Sequence, residues 1–577
     1  MKLIIKQYLA SLRERNELDA LLPDLLSQMG LNVFSKPGRG TRQDGVDVAA
    51  VGSLNGEPEK VYLFSIKAGD LTRSSWDSGS PQSLRPSLNE IKDSYIPNRL
   101  PKEHKDEQIV ICLCFGGDIQ EQVRASVEGY IGQNSTDRIT YEEWNGDKLA
   151  NLIQESFLRE DLLPENSRPI LRKALALLDE PEASFGYYTQ LATALFNVAA
   201  EERSKKLTSL RQMSICLWIL FAWARDNGNL EAAYLSAERT LLFAWDLAKN
   251  EFGKNNKVAK GIQEAFQSVL GTYSQIADEY INGKILPHVT VLDGLSTAVR
   301  PSSSMDVNLK LFDLLGRLAM YGLWTTWRAT IADEEEYKEK LVLRSQYISD
   351  AVKSLISNNP ALFLPIKDEQ AIDIFLAILQ MAMSGSGEGD MKLWLSEIIE
   401  RARFAYEGNG PYPCTIRDYA ELLDHPPHRG DEEYRKEVTE GSILYPTIAL
   451  WAAILGDSKV YEKVTNFKDE CLLHCNFQLW YPDETTEDNL YTNKDLHGAV
   501  LSNVPIEQSP KEFLKLVWEE CEQAQHFENL SAREKGLWPL ILLASRHYRI
   551  PVPVHFTLPY QKNSDTVLSD LGETGDD

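Results

Sequence analysis

An aspartate, Asp47, stands near the start of one apolar run, VDVAAVG, and Ser65 and Lys67 stand two apart at the end of the next, KVYLFSIK. Between the runs lies Asn55-Gly56-Glu57-Pro58, and Asn-Gly flanked by alternating apolar residues is a strong hairpin signal. Successive side chains of a strand alternate faces, so Ser65 and Lys67 project to one side and Ile66 to the other. If Asp47 faces the same way, a carboxylate, a hydroxyl and an ammonium meet at one end of a sheet. Hydrolysis of a phosphodiester uses such a set. The carboxylate fixes a divalent cation, which polarises the phosphoryl oxygen and lowers the pKa of a bound water. The lysine positions that water and stabilises the charge developing on the phosphorane.

These residues need a scaffold. An amphipathic helix is expected from Gln7 to Met29, then a strand entered at Asn32-Val33 and a Gly/Arg-rich loop, Pro37–Arg42. After the hairpin come a polar loop, a helix near Leu84–Tyr95 and an apolar strand, Gln108–Phe115. A helix over Ile119–Ile131, a strand over Arg138–Trp144 and a helix over Gly146–Phe157 complete the region. Glu17 is the best-placed carboxylate of the first helix, with Glu14, Asp19 and Asp24 as rivals. Asp44 and Gln43 can support the ligands, and Gly45 permits an unusual backbone beside Asp47.

The order helix, three strands, helix, strand, with an aspartate on one strand and x-lysine on the next, resembles the PD-(D/E)xK nuclease superfamily. The resemblance covers residues 1–160 and implies the restriction-endonuclease-like α/β fold. It implies Mg²⁺- or Mn²⁺-dependent cleavage of nucleic acid, DNA rather than RNA. Asp47, Glu17 and Ser65 would serve the metal, and Asp47, Lys67 and Ser65 the catalysis. Ser65 departs from the family pattern, because a hydroxyl stands where an acid is usual. The rival reading is a nuclease-like fold that has lost its metal and serves as a non-enzymatic adaptor.

Charge restricts where nucleic acid could lie. The formal net charge is −25, and residues 1–160 carry 19 Lys+Arg against 24 Asp+Glu, so −20 belongs to the remainder. Affinity for phosphate backbones comes from cationic side chains. Nucleic acid is therefore expected near the hairpin, on Lys36, Arg39, Arg42, Arg73 and Arg85, with Trp76 available for base stacking.

Beyond a boundary at Leu163–Pro169 the apolar period becomes helical as far as Ile550. A large all-α domain is expected over 161–560, subdivided near 300 and 385, presenting a surface to a protein partner or a second copy. ILFAWARDNGNLEAAYLSAERTLLFAWDLA reads as a helical hairpin turning at Asn227-Gly228-Asn229, similar to one tetratricopeptide unit, without a recurring period. The acidic stretch 561–577 is expected to be disordered. Seven cysteines in so long a chain form no disulfide framework, which points to a reducing cytoplasmic compartment. Met213–Ala224 is too short for a membrane span, which needs about 20 residues. Cys471, Cys475, Cys521 and His526 lack the paired spacing of a structural zinc site. There is no P-loop, dinucleotide fingerprint or nucleophile elbow. Nuclease fused to helical module is the layout of an antiviral defence effector, by analogy.

Overall fold

The computed structural model describes residues 2–35, 44–54, 56–80, 82–156, 167–299 and 301–561. Two compact units divide the chain, Met1–Ile276 and Ala277–Asp577.

The first unit is built on a mixed sheet of five strands in the order β1-β2-β3-β4-β5. They are β1 (Asn32–Ser35), β2 (Val48–Gly52), β3 (Lys60–Lys67), β4 (Gln108–Phe115) and β5 (Ile139–Trp144). The β1–β2 and β2–β3 pairs are antiparallel, whereas β3–β4 and β4–β5 are parallel. Parallel strands need helical crossovers, and those helices cover the sheet. Both faces are accordingly buried. Val61, Leu63, Ile109, Ile111 and Leu113 pack with Leu84, Leu88, Ile91, Val123 and Val127 from the crossover helices. On the other face Phe64 meets Trp144 edge-on at 4.9 Å.

The helix expected over Gln7–Met29 is interrupted. α1 (Lys2–Ser11) ends, a π-helical turn covers Glu14–Leu18, and α2 (Asp19–Gln28) follows. Pro23 lies inside α2. It has no N–H to offer the Asp19 carbonyl and its ring crowds that turn, which is a sufficient cause for irregular backbone just upstream. Leu9 of α1 packs against the chain leaving β4 so closely that a Cβ on Gly116 would run into the Leu9 carbonyl oxygen. The loops after β3, β4 and β5 are stitched together: Gly117 N–H donates to Gly69 O at 2.9 Å, and Gly146 N–H to Gly117 O at 2.8 Å.

The helices expected after the boundary at Leu163–Pro169 begin at Ser167, and those reaching Ile276 group with the sheet in the first unit. Lys206–Asp226 and Glu231–Ala248 form the anticipated hairpin, Gly228 taking φ +69° at its turn. Lys206–Asp226 has the length and composition of a membrane span, yet 78% of its apolar window is buried inside the protein. It is a core helix.

The second unit is mainly helical, around Ser304–Ile331, Glu335–Asn358, Ala371–Met383, Leu444–Ile454 and Pro539–Tyr548. Ser303, in the expected interruption near 300, forms a capping box with Asp306. One feature differs from the all-α expectation. β6 (Gly441–Ser442), β7 (Asn476–Tyr481) and β8 (Ala499–Ser502) make a small sheet, parallel then antiparallel. Strands this short leave little periodic signal, although NFQLWY alternates. All seven cysteines are free thiols. The tail 562–577 lies outside the described residues.

Gly116→Ala is expected to cost about 2 kcal/mol of stability, because the clash is with backbone that a rotamer change cannot relieve. Urea denaturation of the variant against wild type measures it.

Candidate active site

Asp47 lies where β2 begins, and its side chain extends the sheet. Its own N–H donates to Phe64 O at 2.8 Å, the last backbone bond of the pairing. The next donor along β3, Ile66 N–H, bonds to Asp47 Oδ2 at 2.7 Å. Among the described residues no donor reaches Oδ1. A tight turn sets this geometry: Asp44 has φ +48° and Gly45 φ +82°, and a Cβ on Gly45 would strike the Ser87 carbonyl oxygen. Asp44 is buried and ion-paired with Arg99 at 2.5 Å. It holds the turn rather than a ligand.

Ser65 and Lys67 share the face of β3 opposite to Ile66. Ser65 is 1% exposed, and its Oγ has no hydrogen-bond partner among the described residues. A buried hydroxyl costs about 1–3 kcal/mol unless water or a ligand supplies its partner. Lys67 is buried along its stem, and its Nζ lies 3.2 Å from both carboxylate oxygens of Glu14.

The helical carboxylate that meets the lysine is thus Glu14, not the expected Glu17. Glu17 is fully buried and both its oxygens are engaged elsewhere. Arg225 Nη1 and Gln275 Nε2 donate to Oε1 at 3.0 and 2.8 Å, and Arg13 N–H donates to Oε2 at 2.8 Å. The physical reason is the π turn. Extra backbone at Glu14–Leu18 rotates the helix faces relative to a regular 3.6-residue pitch, so Glu14 looks to β3 and Glu17 to the helices after Ser167.

Burial raises the Asp47 carboxyl to about 6, against the opposing pull of the Ile66 N–H and the Lys67 ammonium. The charges of Glu14 and Asp19 push it further in the same direction. A desolvated carboxylate with one open oxygen, beside a second carboxylate and an orphaned hydroxyl, is an all-oxygen donor set that suits Mg²⁺ or Mn²⁺. Among the described residues no three His, Cys, Asp or Glu side chains gather closely enough to hold a metal by themselves. Two carboxylates completed by water are nevertheless an ordinary Mg²⁺ arrangement.

Of the basic residues expected to meet nucleic acid, Lys36, Arg39 and Arg42 lie outside the described residues. Arg73 is exposed at the start of a short helix four residues beyond Gly69. Arg85 pairs with Asp77 at 2.8 Å. Trp76 is buried, 5.6 Å from Tyr130 edge-on, so it packs in the core instead of facing a base.

No match is found for this chain among protein-family models, curated proteins or solved structures. The residues themselves therefore carry the functional reading.

Asp47 sets a pH dependence whose sign follows from its raised pKa. The folded state holds the proton more tightly than the unfolded chain, so stability falls as pH rises from about 4 to about 6 and stays lower above. Asp47→Asn removes that cost and keeps an acceptor for Ile66 N–H. In metal-free buffer the variant should match wild type near pH 4 and exceed it at pH 7.5 by on the order of 2 kcal/mol, read from denaturant unfolding.

Proposed function

We propose that the chain is a metal-dependent nuclease that hydrolyses phosphodiester bonds of DNA at the end of β3, within a restriction-endonuclease-like N-terminal region. The observation that carries the reading is the Lys67–Glu14 pair at the end of β3 next to Asp47, which accepts from Ile66 N–H, with the buried, unpartnered Ser65 Oγ on the same strand face as Lys67. Asp47 through Oδ1, with Glu14, would hold Mg²⁺ or Mn²⁺. When bound, the cation polarises a phosphoryl oxygen and lowers the pKa of a coordinated water. Lys67, once released from Glu14, would orient an attacking water and offset charge on the phosphorane. Ser65 Oγ would supply a further hydrogen bond to it. Closed walls on both faces of the sheet keep the lysine out of bulk solvent, which strengthens its interaction with phosphate.

Arg73, free of any ion pair among the described residues, is a natural phosphate contact next to this end of the sheet. The acidity of the chain beyond residue 160 favours a protein partner or self-association over nucleic acid there. A defence effector of the cytoplasm, with its nuclease under control of the helical region or of a partner, fits these features and the free thiols.

A second reading is a metal-free adaptor. Lys67 is fully occupied by Glu14, and a serine stands at the strand position where an acid would strengthen metal binding.

Supercoiled plasmid and single-stranded DNA, incubated with full-length protein and Mg²⁺ or Mn²⁺, separate the two. The nuclease reading expects cleavage that falls by about 100-fold or more in both Asp47→Ala and Lys67→Ala. Cleavage unchanged in both variants would remove the site assignment.

A further inference from the structure

The second unit contains a cleft of about 500 Å³ between the Asp368 turn, the chain around Arg417, the start of β7 and the chain after Pro539–Tyr548. That is within the range of small-molecule sites. Its floor is rigid. Asp368 accepts from Ser442 Oγ at 2.5 Å and from the N–H groups of Ile443 and Leu444 at 2.8 and 3.3 Å, so the carboxylate caps the helix that begins there.

Most charge around the cleft is already matched. Glu369 pairs with Lys367 at 2.8 Å, and Arg549 with Asp373 at 2.7 Å. Three lining groups are left over. The side chains of Arg417, Glu440 and the half-buried Gln478 make no ion pair or hydrogen bond among the described residues, while the backbone carbonyls of Arg417 and Glu440 are fixed by Lys367 Nζ at 3.0 Å and Asn476 N–H at 2.7 Å. The two chain segments are held, and their charged ends are open.

We propose that this cleft binds a small zwitterion, an α-amino acid or dipeptide, with its carboxylate on Arg417, its ammonium on Glu440 and a polar group on the Gln478 amide. A simple anion would face Glu440 and Glu369, and a simple cation would face Arg417 and Arg549. Among the described residues no aromatic ring lines the cleft to stack a nucleobase. Opposite open charges with a neutral amide between matched pairs select a ligand carrying both signs. The site is independent of the nuclease reading, and its test needs no catalysis.

The test is isothermal titration calorimetry of the full chain with each of the twenty common amino acids and with glycylglycine, inorganic phosphate and AMP serving as probes of anion binding alone. At least one zwitterion should bind at one site per chain, with affinity reduced about tenfold or more in both Arg417→Ala and Glu440→Gln. Both positions are exposed, so the unliganded variants should keep the wild-type melting temperature. Asp47→Ala should bind as wild type does. Failure of every zwitterion to bind, binding unaffected by either variant, or tight phosphate or AMP binding that survives Glu440→Gln would each overturn the proposal.

Discussion

A carboxylate with no exposure to water has to be neutralised where it sits, and Glu17 is such a group. Arg225, Gln275 and the Arg13 N–H surround it within the first unit. Removing any one leaves buried charge or a buried donor without a partner, a penalty of about 3–5 kcal/mol for broken buried ion pairs. This cluster fixes the turn at Glu14–Leu18, and the turn in its fixed form directs Glu14 at Lys67. The helices between Ser167 and Ile276 are thereby part of what shapes the end of β3. They do more than follow it in the chain.

The same turn separates what sequence reveals from what it hides. The hairpin strands are legible because a period of two places Ser65 and Lys67 on one face whatever surrounds them. On a continuous helix from Gln7 to Met29, Glu17 is the best-placed carboxylate. Pro23 was visible, but its consequence is a π turn several residues upstream, and no local residue pattern marks that register change. Trp76 illustrates a different limit. A tryptophan in a polar loop reads as exposed, whereas here a capping box at Thr72 folds the loop and turns the ring into the core. β6 and β8 carry no readable pattern, because two and four residues cannot establish a period.

At the site itself, electrostatics and hydrogen bonding point the same way. Lys67 answers Glu14, while Asp47 sits desolvated with Glu14 and Asp19 near enough to raise its pKa. One oxygen of Asp47 completes the sheet, the other is open, and Ser65 Oγ waits without a partner. A buried hydroxyl such as Ser65 Oγ is costly unless water or a ligand supplies the missing partner. In the second unit unmet capacity appears again in another form, as Arg417 and Glu440 lining one cleft.

The proposed site requires Asp47 and Glu14 to hold a divalent cation. Mn²⁺ binding to the full chain, followed by electron paramagnetic resonance at pH 7.5, tests it without relying on turnover. One Mn²⁺ per chain is expected in wild type, with affinity reduced more than about 100-fold in Asp47→Asn. Mn²⁺ bound equally well by the variant, or not bound by wild type even with DNA present, would contradict it.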